Sequence, residues 1–457
     1  MGLLRRSLAL IPATVLAAST PLASLAQAPS PPADMPKEPA KSDSIWALNT
    51  QATVVDQSDS GVPGDFRGAN SLSPASQSRE TVDLTLYGGL NPWKGAEIWI
   101  SPEIDQGFGL SDTLGTAGFL SGEAYKVGQA TPYIRLQRLF FRQTLDLGGA
   151  AEKTDADLFT FAGDHTHDRL VFTAGKIGVG DVFDTNAYAH DPRGDFLNWS
   201  IIDTGTFDYA ADAWGYSYGS TLEWYVGDWT LRGGGFSMSK VPNGENLESN
   251  FSQYELVGEL ERRYRLAGRE GKLRLTAFEN RARYGDFADA LREGAATDST
   301  PDLTVVRRYR GHAGASLDWE QPVGEDAGVF LRAGYADGHQ QAYEFTDIDR
   351  TAAFGLSLQG KRWGRPDDTV GVAGVVNDIA RDFRTYLAAG GLGILIGDGQ
   401  LPHYQTERIL ETYYSLKATG FAHVSLDYQY VQNPAYDRVR GPVSVIGVRL
   451  HIQGMAP

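Results

Sequence analysis

The sequence predicts an all-β protein: a single transmembrane antiparallel β-barrel of 16 strands, with 18 as the fallback count. Three observations predict it. About fifteen segments of roughly ten residues alternate apolar and polar side chains, and a tilted strand of that length crosses a bilayer. The first residues have the layout of a secretory signal, while no later segment offers the ~18 uninterrupted apolar residues of a spanning helix. Aromatic residues (Tyr87, Trp93, Trp99, Trp214, Tyr218, Trp229, Trp319 and Tyr335) fall near strand ends, and some connections are very short while others are long. Rings suit the boundary between an apolar band and water, and barrels place short turns on one side and long loops on the other. Bacterial barrels favour even strand numbers, which turns about fifteen recognisable segments into sixteen.

Composition sets the outer limits. The 457 residues suffice for several ordinary domains or one large barrel, and no repeat or composition break marks a second folded domain. Cysteine is absent, which excludes a disulfide framework and a thiol nucleophile. The 53 glycines are about 12% of the chain against an ordinary ~7%, a bias that suits twisted sheets. A net charge of -16 argues against nucleic acid as a partner.

In chain order, 1–28 reads as a signal peptide: Arg5 and Arg6 precede an apolar run from Leu8 to Leu25, and Ala26-Gln27-Ala28 supplies small residues for cleavage. Residues 29–78 read as a disordered Pro, Ala and Lys rich leader followed by a polar segment, either a surface loop or a stretch that plugs a barrel. The barrel is expected over 79–453, with 454–457 as a tail. Val82, Leu84 and Leu86 oppose Thr81, Asp83 and Thr85. Tyr133 to Leu147 is a two-faced ribbon carrying Arg135, Arg138 and Arg142, which would be out of place in a sandwich core and comfortable facing a water-filled lumen. Leu222, Trp224 and Val226 oppose Thr221, Glu223 and Tyr225. The pattern recurs at 253–261, 272–277, 329–333 and 354–358, and closes with 423–430 and 446–452. Two connections differ: 284–302 is Ala, Asp and Glu rich with room for a helical turn, and 377–389 reads as a short helix capped by Asn377, with Ile379, Phe383, Tyr386 and Leu387 on one face.

The stretch from Asp168 to Ile202 organises the rest. It begins as a strand, with Leu170, Phe172 and Ala174 on one face, and then breaks at glycines into a long insert rich in Asp, Asn, Arg and aromatics. A strand feeding such an insert is a wall element delivering a functional loop.

The motif from Gly175 to Trp199 (Gly-Lys, then Asp-Val-Phe-Asp-Thr-Asn, Asp-Pro-Arg and Phe-Leu-Asn-Trp) resembles the carbohydrate-selective outer-membrane porins, the OprB-like family. Glu103 to Leu110, Gly122 to Lys126, Gly397 to Tyr404, Glu411 to Tyr414, Asp427 to Tyr436 and Arg440 to Val443 carry the resemblance over nearly the whole mature chain. It implies a sixteen-stranded barrel in the outer membrane of a Gram-negative bacterium, passing small neutral sugars by diffusion, with no cofactor and no enzymatic step. Outer-membrane lipid and the barrel-assembly machinery are the implied partners, and a homotrimer is an open assembly. One departure is the end of the last strand: after Ile452 the chain continues Gln453-Gly454-Met455-Ala456-Pro457, without the terminal aromatic that the assembly machinery reads in such barrels.

A sugar presents hydroxyls that need donors and acceptors and CH faces that stack on rings, so a sugar channel sets charged or amide groups beside aromatics. Asp191, Arg193, Asp195, Asn198 and Trp199 supply that set in the insert, and Arg135, Arg138, Arg142, Arg274 and Arg332 could line a polar wall. The expectation is that the insert folds inward to form the constriction; the competing reading is that Asp191 and Arg193 pair to brace the loop. His165-Thr166-His167-Asp168 has the spacing of a metal pair but no further clustered ligands, and reads as a solvated loop. Glu255 and Glu259 share a strand face without a third group and read as solvated lumen carboxylates rather than an acid/base couple. The glycines at 390–399 do not open a helix after a strand, so no phosphate loop is expected. The alternative class is an exported soluble protein that binds or acts on glycans.

Overall fold

In the computed structural model the described residues are 44–63, 67–345 and 347–455. The expected signal peptide, nearly all of the leader and the last two tail residues lie outside them. Sixteen strands follow one another around the barrel: β1 (Trp46–Asp59), β2 (Ser78–Leu90), β3 (Ala96–Gly107), β4 (Gln129–Thr154), β5 (Gly163–Ile177) and β6 (Ser217–Val226). Next come β7 (Trp229–Ser237), β8 (Tyr254–Leu266), β9 (Arg269–Tyr284), β10 (Arg308–Pro322) and β11 (Ala327–Ala336). The circuit ends with β12 (Arg350–Gly360), β13 (Arg365–Asp378), β14 (Glu407–Lys417), β15 (Ala422–Gln432) and β16 (Val443–Met455). Among the described residues three α-helices lie in the connections: α1 (Trp199–Ile202), α2 (Phe287–Thr297) and α3 (Arg381–Ala388). Each strand pairs antiparallel with its sequence neighbours, and β1 pairs with β16 from Asn49↔Met455 to Asp59↔Val445, so the sheet closes without an edge.

Side-chain direction shows which solvent each face is built for. Leu86, Ile100, Leu222, Leu256, Leu426 and Ile446 point outward and are exposed, whereas their neighbours Thr85, Ser101, Thr221, Glu255, Asp427 and Val445 are buried inside. Arg274, Arg332 and Arg449, among the largest fully buried side chains, all face inward. Water inside and hydrocarbon outside is the arrangement that satisfies backbone and side chains together in a bilayer. Among the described residues no helix is long and apolar enough to span a membrane.

The two rims differ. On one, strands are joined at 227–228, 267–268, 323–326, 361–364 and 418–421. The turn at Ala267 and Gly268 has both residues at positive φ, which matches the twist of the flanking strands. On the other rim run 60–77, 108–128, 178–216, 238–253, 285–307, 337–349, 379–406 and 433–442. Many of these fold back over or into the lumen, and their buried rings make the core: Phe287 stacks on Phe383 at 4.4 Å, packing α2 against α3.

Several boundaries differ from the sequence reading. The barrel begins at Trp46, well before 79, because part of the supposed polar segment is β1. Its outward residues include Thr50 and Ala52, too small to register as an apolar face, while Asn49, Gln51, Thr53 and Gln57 face the lumen. The last strand runs through the expected tail to Met455. Asn377 does not cap a helix: it sits in β13, where its side chain donates to Ser200 Oγ at 3.1 Å, and Ala380 is the residue before α3. The expected apolar face of that helix is nonetheless buried at Phe383, Tyr386 and Leu387. His165 and His167 lie in β5, not a loop, each beside its own carboxylate, Asp146 at 3.9 Å and Glu152. Of the expected girdle rings, Trp93, Tyr218, Trp229 and Tyr335 are exposed, whereas Tyr87, Trp99 and Trp214 are buried among loops.

Candidate functional site

The insert at 178–216 crosses the lumen and is bolted to three sectors of the wall. Beside its entry, Arg138 of β4 grips Asp181 with two bonds of 2.6 and 2.8 Å. On the far side, Asp184 N donates to Glu259 at 2.9 Å, Ala187 N to Glu320 at 2.8 Å, and Asn186 to both oxygens of Asp318. Arg332 donates to the carbonyls of Ile201 at 2.7 Å and Asp184 at 3.0 Å. The tip of the insert swings to the seam, where Arg449 of β16 donates to the carbonyls of Pro192, Gly194 and Asp195. Glu411 of β14 accepts from Leu197 N and Asn198 N, and Asn198 then caps α1 by accepting from Ser200 N at 3.1 Å. Strand-borne charges thus satisfy backbone groups that the irregular loop would otherwise bury unpaired. Glu255 and Glu259 belong to this set: Glu255 accepts from Ala210 N at 3.0 Å, and Glu259 also pairs with Arg232 at 2.7 Å. They are loop brackets and not solvated lumen carboxylates.

Between the insert and the wall of β1, β2 and β4 lies a cavity of about 460 Å³. Four of the expected site residues line it: Arg138, Asp191, Arg193 and Trp199. Arg193 reaches Asp83 at 3.4 Å, Glu103 at 3.3 Å and Glu123 at 3.3 Å. Burial works against its charge, but the Glu123, Asp83 and Glu103 carboxylates more than offset that, so the guanidinium stays ionised. Asp191 does not take the Arg193 side chain; its carboxylate accepts from the Arg193 backbone N at 2.9 Å, which fixes the turn that aims the arginine. Asp195 accepts from the amides of His190 and Asp191 and shapes the same turn.

Trp199 belongs to a cluster of rings. Phe119 stacks on it at 4.9 Å and 18°, Phe345 at 5.0 Å and 20°, and Tyr209 leans on Phe345 at 4.3 Å. With Phe119 and Phe345 on the indole, the stack is a rigid bank of rings along the cavity. His190 stands beside it, 3.5 Å from Asp203; burial pulls its imidazole down, but the carboxylate raises it to about 9.

The other expected residues serve the wall or the loops. Arg135 lies 3.5 Å over the Trp214 ring and 3.5 Å from Asp212. Arg142 pairs with Glu97 at 3.0 Å. Arg274 joins Glu261, Asp318 and Glu320, and Arg332 joins Asp318, in one buried network. Asn198 is spent on its cap and on Gln429. Missed by sequence reasoning were Tyr87, Glu123, Asp181, His190 and Phe345, which reach the cavity from a strand and from long connections. Gly122-Glu123-Ala124-Tyr125-Lys126 belongs to the family resemblance, the signal that points to Glu123.

A second cavity of about 590 Å³ lies among the long loops, lined in part by Pro301, Arg307 and Tyr386. Lys126 borders both cavities and donates to Ile394 O at 2.5 Å. Among the described residues no group of three or more His, Asp or Glu is placed to hold a metal ion.

No curated protein sequence matches the chain. Among solved structures, the high-pH form of Pseudomonas putida OprB is similar with a TM-score of 0.66 and 16% identity, covering 90% of this chain and 94% of that one. OccAB1 of Acinetobacter baumannii aligns at TM-score 0.49 and 11% identity over 92% and 100% of the two chains. The DcaP channel of the same organism aligns at 0.49 and 10% over 91% and 99%. The family model "Carbohydrate-selective porin, OprB family" matches residues 69–453, so this chain belongs to that family and is a porin of the Gram-negative outer membrane that lets sugars diffuse in.

Proposed function

We propose that the chamber beside Arg193 is where this porin selects its sugars, and that it favours small neutral saccharides. The supporting observation is Arg193 itself, an ionised fork among Asp83, Glu103 and Glu123 that borders the same cavity as the ring bank of Phe119, Trp199 and Phe345. A guanidinium set among carboxylates presents donors and acceptors side by side, which suits the hydroxyls of a sugar. Rings along the same cavity suit the CH faces of a sugar. Each contact is weak enough to exchange, so passage is down a gradient, and the chain acts as a channel rather than an enzyme. Insertion by the barrel-assembly machinery would proceed through β16, whose seam with β1 closes the barrel.

The test is a planar-bilayer and liposome-swelling series with neutral monosaccharides, their uronic acid and amino counterparts, and longer oligosaccharides. Neutral monosaccharides are expected to permeate fastest and to block ion current reversibly. Equal permeation of charged and neutral sugars of one size would discard the proposed selection.

A further inference from the structure

One connection on the short-turn rim breaks its pattern. β4 pairs with β3 only as far as Ala96↔Gln143, and β5 pairs with β6 only from Arg169↔Tyr225 onward. Residues 144–146 still pair with wall residues 169–171, whereas 148–154 and 163–168 pair with each other alone, as a two-stranded ribbon leaving the barrel wall. Its register breaks between Asp146 and Gly148 and again between Gly148 and Ala151. Gly148 and Gly149 there take φ of +128° and +89°, conformations that a side chain would strain. The ribbon bends at this point, and its tip enters the barrel from below.

Wall side chains receive the tip. Asn49 donates to Leu158 O at 2.9 Å and to Asp157 O at 3.3 Å. Arg142 donates to Phe159 O at 3.1 Å, and Glu97 accepts from Phe161 N at 3.4 Å. Phe161 is buried against Trp99 at 5.0 Å, and Phe159 lies against Tyr87 at 6.2 Å and edge-on to Phe140 at 6.4 Å. Asn49 is three residues into β1, so the tip stands roughly 10 Å inside the rim. Asp157, Leu158 and Phe159 border the selecting chamber.

We propose that this hairpin tip is a second, inner constriction, and that Leu158 and Phe159 set the upper size of solute that leaves the chamber towards the periplasm. The inference rests on the chamber being the permeation path. A plain turn such as 227–228 would have joined β4 to β5; the longer ribbon instead carries an apolar floor under a polar chamber, held by Asn49, Glu97 and Arg142. Arg142 then acts as a positioning residue for the floor and does not touch solute.

Two variants test it. In the first, 155–162 is replaced by Asn-Gly, removing the tip. In the second, Phe159→Cys gives the cysteine-free chain a single thiol that a small charged thiol reagent can modify. Heat-modifiable migration confirms the folded barrel for each. Conductance in KCl reads the floor whether or not sugars pass: tip removal is expected to raise it about twofold or more, and modification of the thiol to lower it by about half. The liposome size limit should rise from mono- or disaccharides towards trisaccharides in the tip-less variant. Folded variants with unchanged conductance, before and after modification, would overturn the inner constriction. A wild-type channel that conducts KCl but passes no neutral sugar would instead refute the sugar reading.

Discussion

Arg332 of β11 donates from Nη1 to the carbonyl oxygen of Ile201, 2.7 Å away, and so ties the wall to the penultimate residue of α1 inside the lumen. The same guanidinium donates to Asp184 O and pairs with Asp318 at 2.9 Å, and its side chain is fully buried. An arginine that the sequence offers as pore lining is thus a strut. Arg332→Met is expected to leave Asp184 and Asp318 short of a counter-charge and to cost about 3–5 kcal/mol of stability. The temperature of the heat-modifiable transition should fall, and open-channel current should become noisier as the insert loosens.

Arg193 holds three carboxylates, so Arg193→Ala should leave Asp83, Glu103 and Glu123 without their shared partner. Reversal potentials across a KCl gradient should move towards cation selectivity. Loss of a charged hydrogen-bonding group of about 1.5 kcal/mol should lower sugar-induced current block about tenfold. Arg193→Lys restores charge but not the planar fork, and should recover ion selectivity more than sugar block.

Trp199 lies between Phe119 and Phe345 in the ring bank. Trp199→Phe preserves a ring in the stack and should leave sugar block nearly unchanged. Trp199→Ala should cost about 3–5 kcal/mol through lost packing, read as a lowered unfolding midpoint. A large loss of sugar block in Trp199→Phe, with stability intact, would show that the indole contacts sugar directly.

His190 and Asp203 give the insert a pH dependence. The folded-state value of about 9 lies above the ordinary 6.5, so the stabilising charge pair is complete below pH 6.5 and is lost as pH rises through 9. Current fluctuations are expected to increase over that interval and to be insensitive to pH in His190→Gln. Recordings at pH 6, 8 and 10 on both proteins check this.

On the outer face, Leu426 is exposed in the middle of β15. Leu426→Arg should destabilise the barrel by about 2–4 kcal/mol in lipid, where the guanidinium would meet hydrocarbon. Urea titrations of protein folded into vesicles measure it, and an unaltered midpoint would contradict the assigned lipid face.

The alternation at Val82 to Leu86, Leu222 to Val226 and Val424 to Tyr430 was enough to specify strands with one dry and one wet side, and the even strand number usual in bacterial barrels carried about fifteen such segments to sixteen. Side-chain period is a local property of a strand, so these elements are legible without a fold. β1 escaped because Thr50 and Ala52 can face lipid without looking apolar. The family motif around Asp181 to Trp199 marked the insert, and its inward course agrees with the chemistry of its residues. What the sequence by itself determined is therefore the wall, its two solvents and the segment that enters it. Only tertiary structure decided the work of each charge. Arg274 and Arg332 went to the ion network, Glu255 and Glu411 to loop amides, Arg142 to the hairpin tip and Arg193 to the chamber. All are polar residues on an inward face and look alike in one dimension. Closing the barrel brings strands far apart in sequence around one lumen, and whichever backbone group comes within about 3 Å fixes what each side chain does.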